Sequence, residues 1–73
     1  MTDIVLLNEK IEESGLRRKF ISDKLGITPQ GFNQKTRGKS EFNSTQIGIM
    51  CDLLNITTQK EMKAIFFKPK VDE

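Results

Sequence analysis

Apolar residues recur at helical spacing along most of the chain, and glycine, proline and capping residues divide that periodicity into five segments. Ile4, Leu7 and Ile11 predict a first helix over residues 3–14, with Glu9, Lys10, Glu12 and Glu13 on its other side, Thr2 as its cap and Gly15 as its end. After Leu16 a short second helix carries Phe20, Ile21 and Leu25 up to Gly26. Gly26-Ile27-Thr28-Pro29 then reads as a tight corner: Gly26 suits the positive φ after a helix, Ile27 plugs the corner, Thr28 caps and Pro29 opens the next helix. That third helix runs from Pro29 to about Thr36 and holds one large apolar residue, Phe32, among Gln30, Asn33, Gln34, Lys35 and Thr36. Residues 38–43 form a loop in which Phe42 folds back as a core anchor. A fourth helix, capped by Asn43 or Ser44, places Ile47, Met50, Cys51 and Leu54 on one face with Ile49 and Leu53 beside it. Thr58 and Glu61 have capping-box spacing ahead of a fifth helix bearing Met62, Ile65 and Phe66, which Lys68-Pro69 ends. No segment reads as a strand, so the expected class is all-α.

With 73 residues, 36% apolar and 30% charged, the chain is expected to be one domain over 1–73, with its core over about 3–67 and a frayed tail at 68–73. A fold of this size buries only about 60% of its unfolded surface, which leaves little room for a deep cavity, so neither an enzyme nor a small-molecule ligand is expected. The single Cys51 and the absence of His exclude an internal disulfide and a conventional zinc site, so no metal or cofactor is expected. With no His to activate it, Cys51 reads as a small core residue rather than a nucleophile. The carboxylate pairs Glu12-Glu13 and Asp72-Glu73 are adjacent in sequence, so they diverge on a helix or lie in the tail and make no acid–base pair. The longest apolar run, Ile4-Val5-Leu6-Leu7, is too short for a signal peptide or a membrane span, which predicts a cytoplasmic protein with no membrane partner.

Charge sharpens the picture. The net charge of +2 conceals a segment, residues 17–39, in which seven basic residues face Asp23 alone, giving +6 against −4 for the remainder. Clustered Lys and Arg are what counterion release from a polyanion rewards, although a solvated surface can also cluster charge. Its place on the second and third helices favours the first alternative. A helix, a glycine-containing turn and a polar helix form a helix-turn-helix arrangement.

From Phe20-Ile21-Ser22-Asp23-Lys24-Leu25-Gly26-Ile27-Thr28 through Phe32 to Gly38, the chain resembles the Cro/repressor-type (xenobiotic-response-element-like) helix-turn-helix family of phage repressors and bacterial regulators. Lys35 to Gly38, Phe42, Leu53-Leu54-Asn55-Ile56 and Ile65-Phe66-Phe67 look like a short phage or prophage subgroup. The resemblance spans Ile4 to Phe67 and implies a five-helix lambda-repressor-like domain that binds double-stranded DNA as a transcriptional regulator, most plausibly a repressor. The chain departs from the family pattern at three places. Ser22 stands where Ala is usual, Arg17 replaces a Ser or Thr cap, and Lys35 replaces an inward Ile, Leu or Trp. Either the Lys35 stem snorkels past Phe32 or the helix is shorter than the norm.

A carboxamide donates and accepts together, which suits it to adenine N6 and N7 in the major groove, and Gln30, Asn33 and Gln34 are the candidates. Thr28 and Pro29 at the helix tip could touch a thymine methyl or a phosphate. The family's base-contacting positions map to Thr28, Pro29, Gln30 and Gln34. Arg17 and Arg18, in a first helical turn where cations oppose the dipole, read as phosphate contacts together with Lys35, Arg37 and Lys39. The resemblance implies a backbone contact through Arg18. About six neutralised phosphates would give a log–log salt slope of about −5.

The family generally works as a two-fold dimer, and Ile65, Phe66 and Phe67 are the candidate homodimer seam; the alternative is that these rings complete a thin monomer core. A different class of function also fits a helical domain, a protein-interaction module of the antitoxin or phage-encoded inhibitor kind. Such a module has no need of Arg17, Arg18, Arg37 and Lys39 on one side.

Overall fold

The capping chemistry of the sequence becomes five helices in the computed structural model, which describes residues 1–69. They are α1 (Ile4–Ser14), α2 (Arg18–Leu25), α3 (Pro29–Thr36), α4 (Ser44–Leu53) and α5 (Gln59–Phe66), and the described residues include no strand. Asn43 begins α4 with a complete capping box: its side chain accepts from the Gln46 N–H at 2.8 Å, and the Gln46 carboxamide accepts from the Asn43 N–H at 3.0 Å. Thr58 caps α5 by accepting from Glu61 N–H. At the start of α1 the expected cap is displaced by one residue. Asp3 accepts the Leu6 N–H at 3.1 Å, while Thr2 is buried and donates its hydroxyl to Glu41 in the loop after α3. The Leu6 N–H holds the Asp3 carboxyl below its ordinary range, and Lys68 Nζ at 3.6 Å adds to that.

One core joins all five helices. Leu7 and Ile11 of α1, Ile21 and Leu25 of α2, Phe32 of α3, Ile47 and Met50 of α4 and Ile65 and Phe66 of α5 meet around Phe42, Leu54 and Ile56. Phe42, the loop anchor, links the distant rings: its centroid lies 6.3 Å from Phe32 and 5.9 Å from Phe66, both edge-to-face. Phe20 departs from the expected stripe and is 42% exposed, with Lys24 Nζ over its ring at 5.4 Å. At about 100° per residue positions 20, 21 and 25 spread over about 140°, whereas 21, 22 and 25 lie within about 100°, and it is this narrower set, with Ser22 in the inner place beside Ile21 and Leu25, that is buried. Cys51 is half-buried at the core margin, where burial pushes its thiol up, with Asp52 and Glu61 adding to the shift.

The two ends of the described chain lie together. Asp3 N–H donates to Ile65 O at 2.6 Å and Lys68 N–H to Met1 O at 2.9 Å, so the expected fraying does not begin at Lys68. Residues 70–73 of the expected tail lie outside the described residues. No described helix is long and apolar enough to cross a membrane.

Candidate functional site

The turn between α2 and α3 is built as its tetrapeptide requires. Gly26 adopts φ 72°, and its N–H donates to Asp23 O while Ile27 N–H donates to Ser22 O, both at 3.1 Å; this is a Schellman ending. Ile27 packs against the core, and Thr28 caps α3 by accepting the Gly31 N–H at 3.0 Å, with Pro29 following in the first turn. Ser22 is fully buried, and its hydroxyl is satisfied by Lys19 O at 2.9 Å. A small residue therefore serves where α2 packs on α3 and α4.

Two inward residues, Phe32 and Thr36, fix the rotation of α3. Gln30, Asn33, Gln34 and Arg37 consequently share the exposed side, and Thr28 and Pro29 are exposed at its leading end. Among the described residues, the side-chain amides of Gln30, Asn33 and Gln34 have no hydrogen-bond partner, whereas the buried amide of Gln46 is used in a cap. Arg17, Arg37 and Lys39 are exposed and form no ion pair among the described residues. The α3 helix ends with Gly38 at φ 81°, and Ile4 of α1 packs so closely there that an added Cβ would meet it at 3.4 Å.

Two of the expected phosphate contacts are engaged inside the molecule. Lys35 Nζ donates to Glu41 O at 2.8 Å and lies 5.7 Å from the Phe42 ring centre, so its stem snorkels past Phe42, not Phe32, and α3 keeps its expected length. Lys35, expected as a phosphate contact, has its ammonium on the loop after α3. Arg18 is half-buried, with Nη2 donating to Asn8 Oδ1 at 2.5 Å, Nη1 to Thr36 Oγ1 at 3.3 Å, and its guanidinium 5.8 Å from the Phe32 ring centre.

Asn8 was missed by the sequence reading. Its available signal was a carboxamide lying between Ile4 and Ile11 on the inner half of an amphipathic helix, where an unsatisfied polar group would be costly. The candidate seam also needs correction. Ile65 and Phe66 are 0% and 3% exposed and belong to the core, which leaves only Phe67, at 54%, available to a neighbour. No family model, curated protein or solved structure matches this chain.

Proposed function

We propose that the chain binds double-stranded DNA sequence-specifically as a transcriptional regulator of repressor type, resembling phage and prophage regulators, with α2 and α3 as its helix-turn-helix and α3 in the major groove. The observation that carries this reading is the outer side of α3: Gln30, Asn33 and Gln34 are exposed amides without internal partners, on a helix whose inner side is locked by Phe32 and Thr36. Such a surface is pre-organised to exchange hydrogen bonds with base edges, and carboxamides suit adenine. Thr28 and Pro29 sit where the tip of that helix would meet the groove, and Arg17, Arg37 and Lys39 supply uncompensated positive charge for flanking phosphates. The +6 of residues 17–39 supports the same partner. Pairing of two copies through the exposed Phe67 end would double the contact on a two-fold site.

Selection of sites from random duplex DNA at about 0.15 M salt tests the reading. The expected result is an enriched palindrome, with Gln34→Ala relaxing one base position at a cost of about 1–3 kcal/mol. Sedimentation of the complex should give two chains per site. Absence of both enrichment and salt-dependent retention would overturn DNA binding and direct attention to a protein partner.

A further inference from the structure

The junction of α1, α2 and α3 holds a cation in an unusual way. Arg18 is half-buried, yet no carboxylate among the described residues lies within ion-pair distance of it. Its partners are all uncharged: the Asn8 carboxamide oxygen, the Thr36 hydroxyl and the face of Phe32. A guanidinium committed only to stabilising the fold is better served by a carboxylate, which returns more of the desolvation cost. Neutral acceptors fix the group in space and leave its full charge for something outside.

Asn8 makes that arrangement rigid. Its Nδ2 donates to Ile4 O at 2.6 Å and to Thr36 O at 3.0 Å, which uses both amide protons. The carboxamide therefore cannot turn over: a flip would set its oxygen against two carbonyl oxygens and its protons against the guanidinium. Oδ1 is held toward Arg18. Thr36 is aligned as well, since its hydroxyl donates to Asn33 O at 3.1 Å and so turns a lone pair to Nη1. Of the five guanidinium N–H groups two are occupied, and three remain.

We infer that Asn8 is a positioning residue, which holds the Arg18 guanidinium on neutral oxygens as a pre-organised and uncompensated clamp for one backbone phosphate, in fixed register with the end of α3. This rests on the DNA-binding reading above. Pre-organisation lowers the ordering cost of the contact. Because Asn8 bonds to Thr36 and Thr36 to Arg18, the phosphate grip and the groove-facing helix move as one piece.

Asn8→Asp keeps an acceptor toward Arg18 and adds a negative charge, but sets its second oxygen against Ile4 O and Thr36 O; Asn8→Ala, measured beside it, removes the acceptor without adding charge and should weaken binding by a smaller factor with the salt slope unchanged. Binding of the selected duplex by Asn8→Asp should weaken about tenfold, and its log–log salt slope should become shallower by about 0.9, one phosphate contact. Thermal unfolding, followed in parallel, separates this from loss of fold. In an Arg18→Ala background the same substitution should change affinity less than about twofold, because its effect passes through Arg18. An equal loss in both backgrounds would mean simple repulsion of DNA and would overturn the inference, as would an unchanged salt slope for Arg18→Ala.

A titration with inorganic phosphate, read at the Arg18 Nε–Hε resonance, distinguishes the two levels of failure. A shift that Asn8→Asp abolishes, in a protein that does not retain duplex DNA, would sink the DNA reading but support the clamp. Duplex binding with an unmoved Arg18 resonance would do the reverse.

Discussion

The two sides of this small molecule treat their charges in opposite ways. Where α1 meets α5, cations have partners across elements: Lys10 Nζ reaches Glu61 at 3.1 Å, and Lys68 reaches Asp3 at 3.6 Å. Around α2 and α3, Arg17, Arg37 and Lys39 have none among the described residues, Arg18 is held by neutral oxygens, and the one ion pair, Lys19 with Asp23, joins two exposed groups on the same helix. Exposed pairs contribute about 0–1 kcal/mol, so the α1–α5 pairs do little more than tidy a junction made by Ile65, Phe66 and Leu7. What distinguishes the other side is that Arg17, Arg18, Arg37 and Lys39 lack even that compensation among the described residues. Positive charge left open on a rigid support is what the proposed DNA partner would use.

Breaking the support should have the largest effect. Phe32→Ala removes the ring beneath both α3 and the Arg18 guanidinium, and such truncations cost about 3–5 kcal/mol, enough to unfold much of a domain this small. Denaturant titration should show the midpoint collapse, with any DNA retention lost alongside it. Removing a charge from the compensated side should do far less: Lys10→Ala is expected to lower stability by under about 1 kcal/mol, less at high salt, and to leave any DNA affinity within about twofold. A larger effect on DNA would end the division of labour between the two sides.

The finest probe is acid. Asp3 has a folded-state pKa below its unfolded value, so its contribution is present above the unfolded pKa and is lost as pH falls through the folded one. The protection of the Leu6 amide, its exchange rate compared with the intrinsic rate at each pH, should therefore fall on acidification below the ordinary carboxylate range, before the core opens, and Asp3→Asn should flatten that dependence. The Gly31 N–H, capped by the neutral Thr28 hydroxyl, should show no such step.

Local rules carried much of the fold in the sequence reading. Gly15, Gly26 and Gly38 all adopt positive φ at helix ends, and Thr28, Asn43 and Thr58 all cap as their spacing suggested. The displaced cap at Asp3 shows where such rules lose force, because Thr2 and Asp3 are both competent and the choice was decided by Glu41, 39 positions from Thr2. Lys35 was ambiguous for a similar reason: what its ammonium meets depends on how the loop brings Glu41 O over Phe42.

Among the site residues, the outward set on α3 was legible because Phe32, the one large apolar residue of that helix, marks its inner side. The Asn8–Arg18–Thr36 junction was not legible, since it joins three helices whose relative placement no periodicity encodes. Ile65, Phe66 and Phe67 form a continuous apolar run, and only packing determines that the first two face inward.

The pairing of Met1 with Lys68 has a mechanical consequence. Tension applied at the two ends of the described chain would first load the backbone bonds from Lys68 to Met1 and from Asp3 to Ile65, which peel open one after the other. The Lys68–Asp3 ion pair lies on the same line. The surface formed by α2 and α3 lies outside that path, so the molecule could be tethered or fused at its ends with the load kept away from the helices proposed to read DNA.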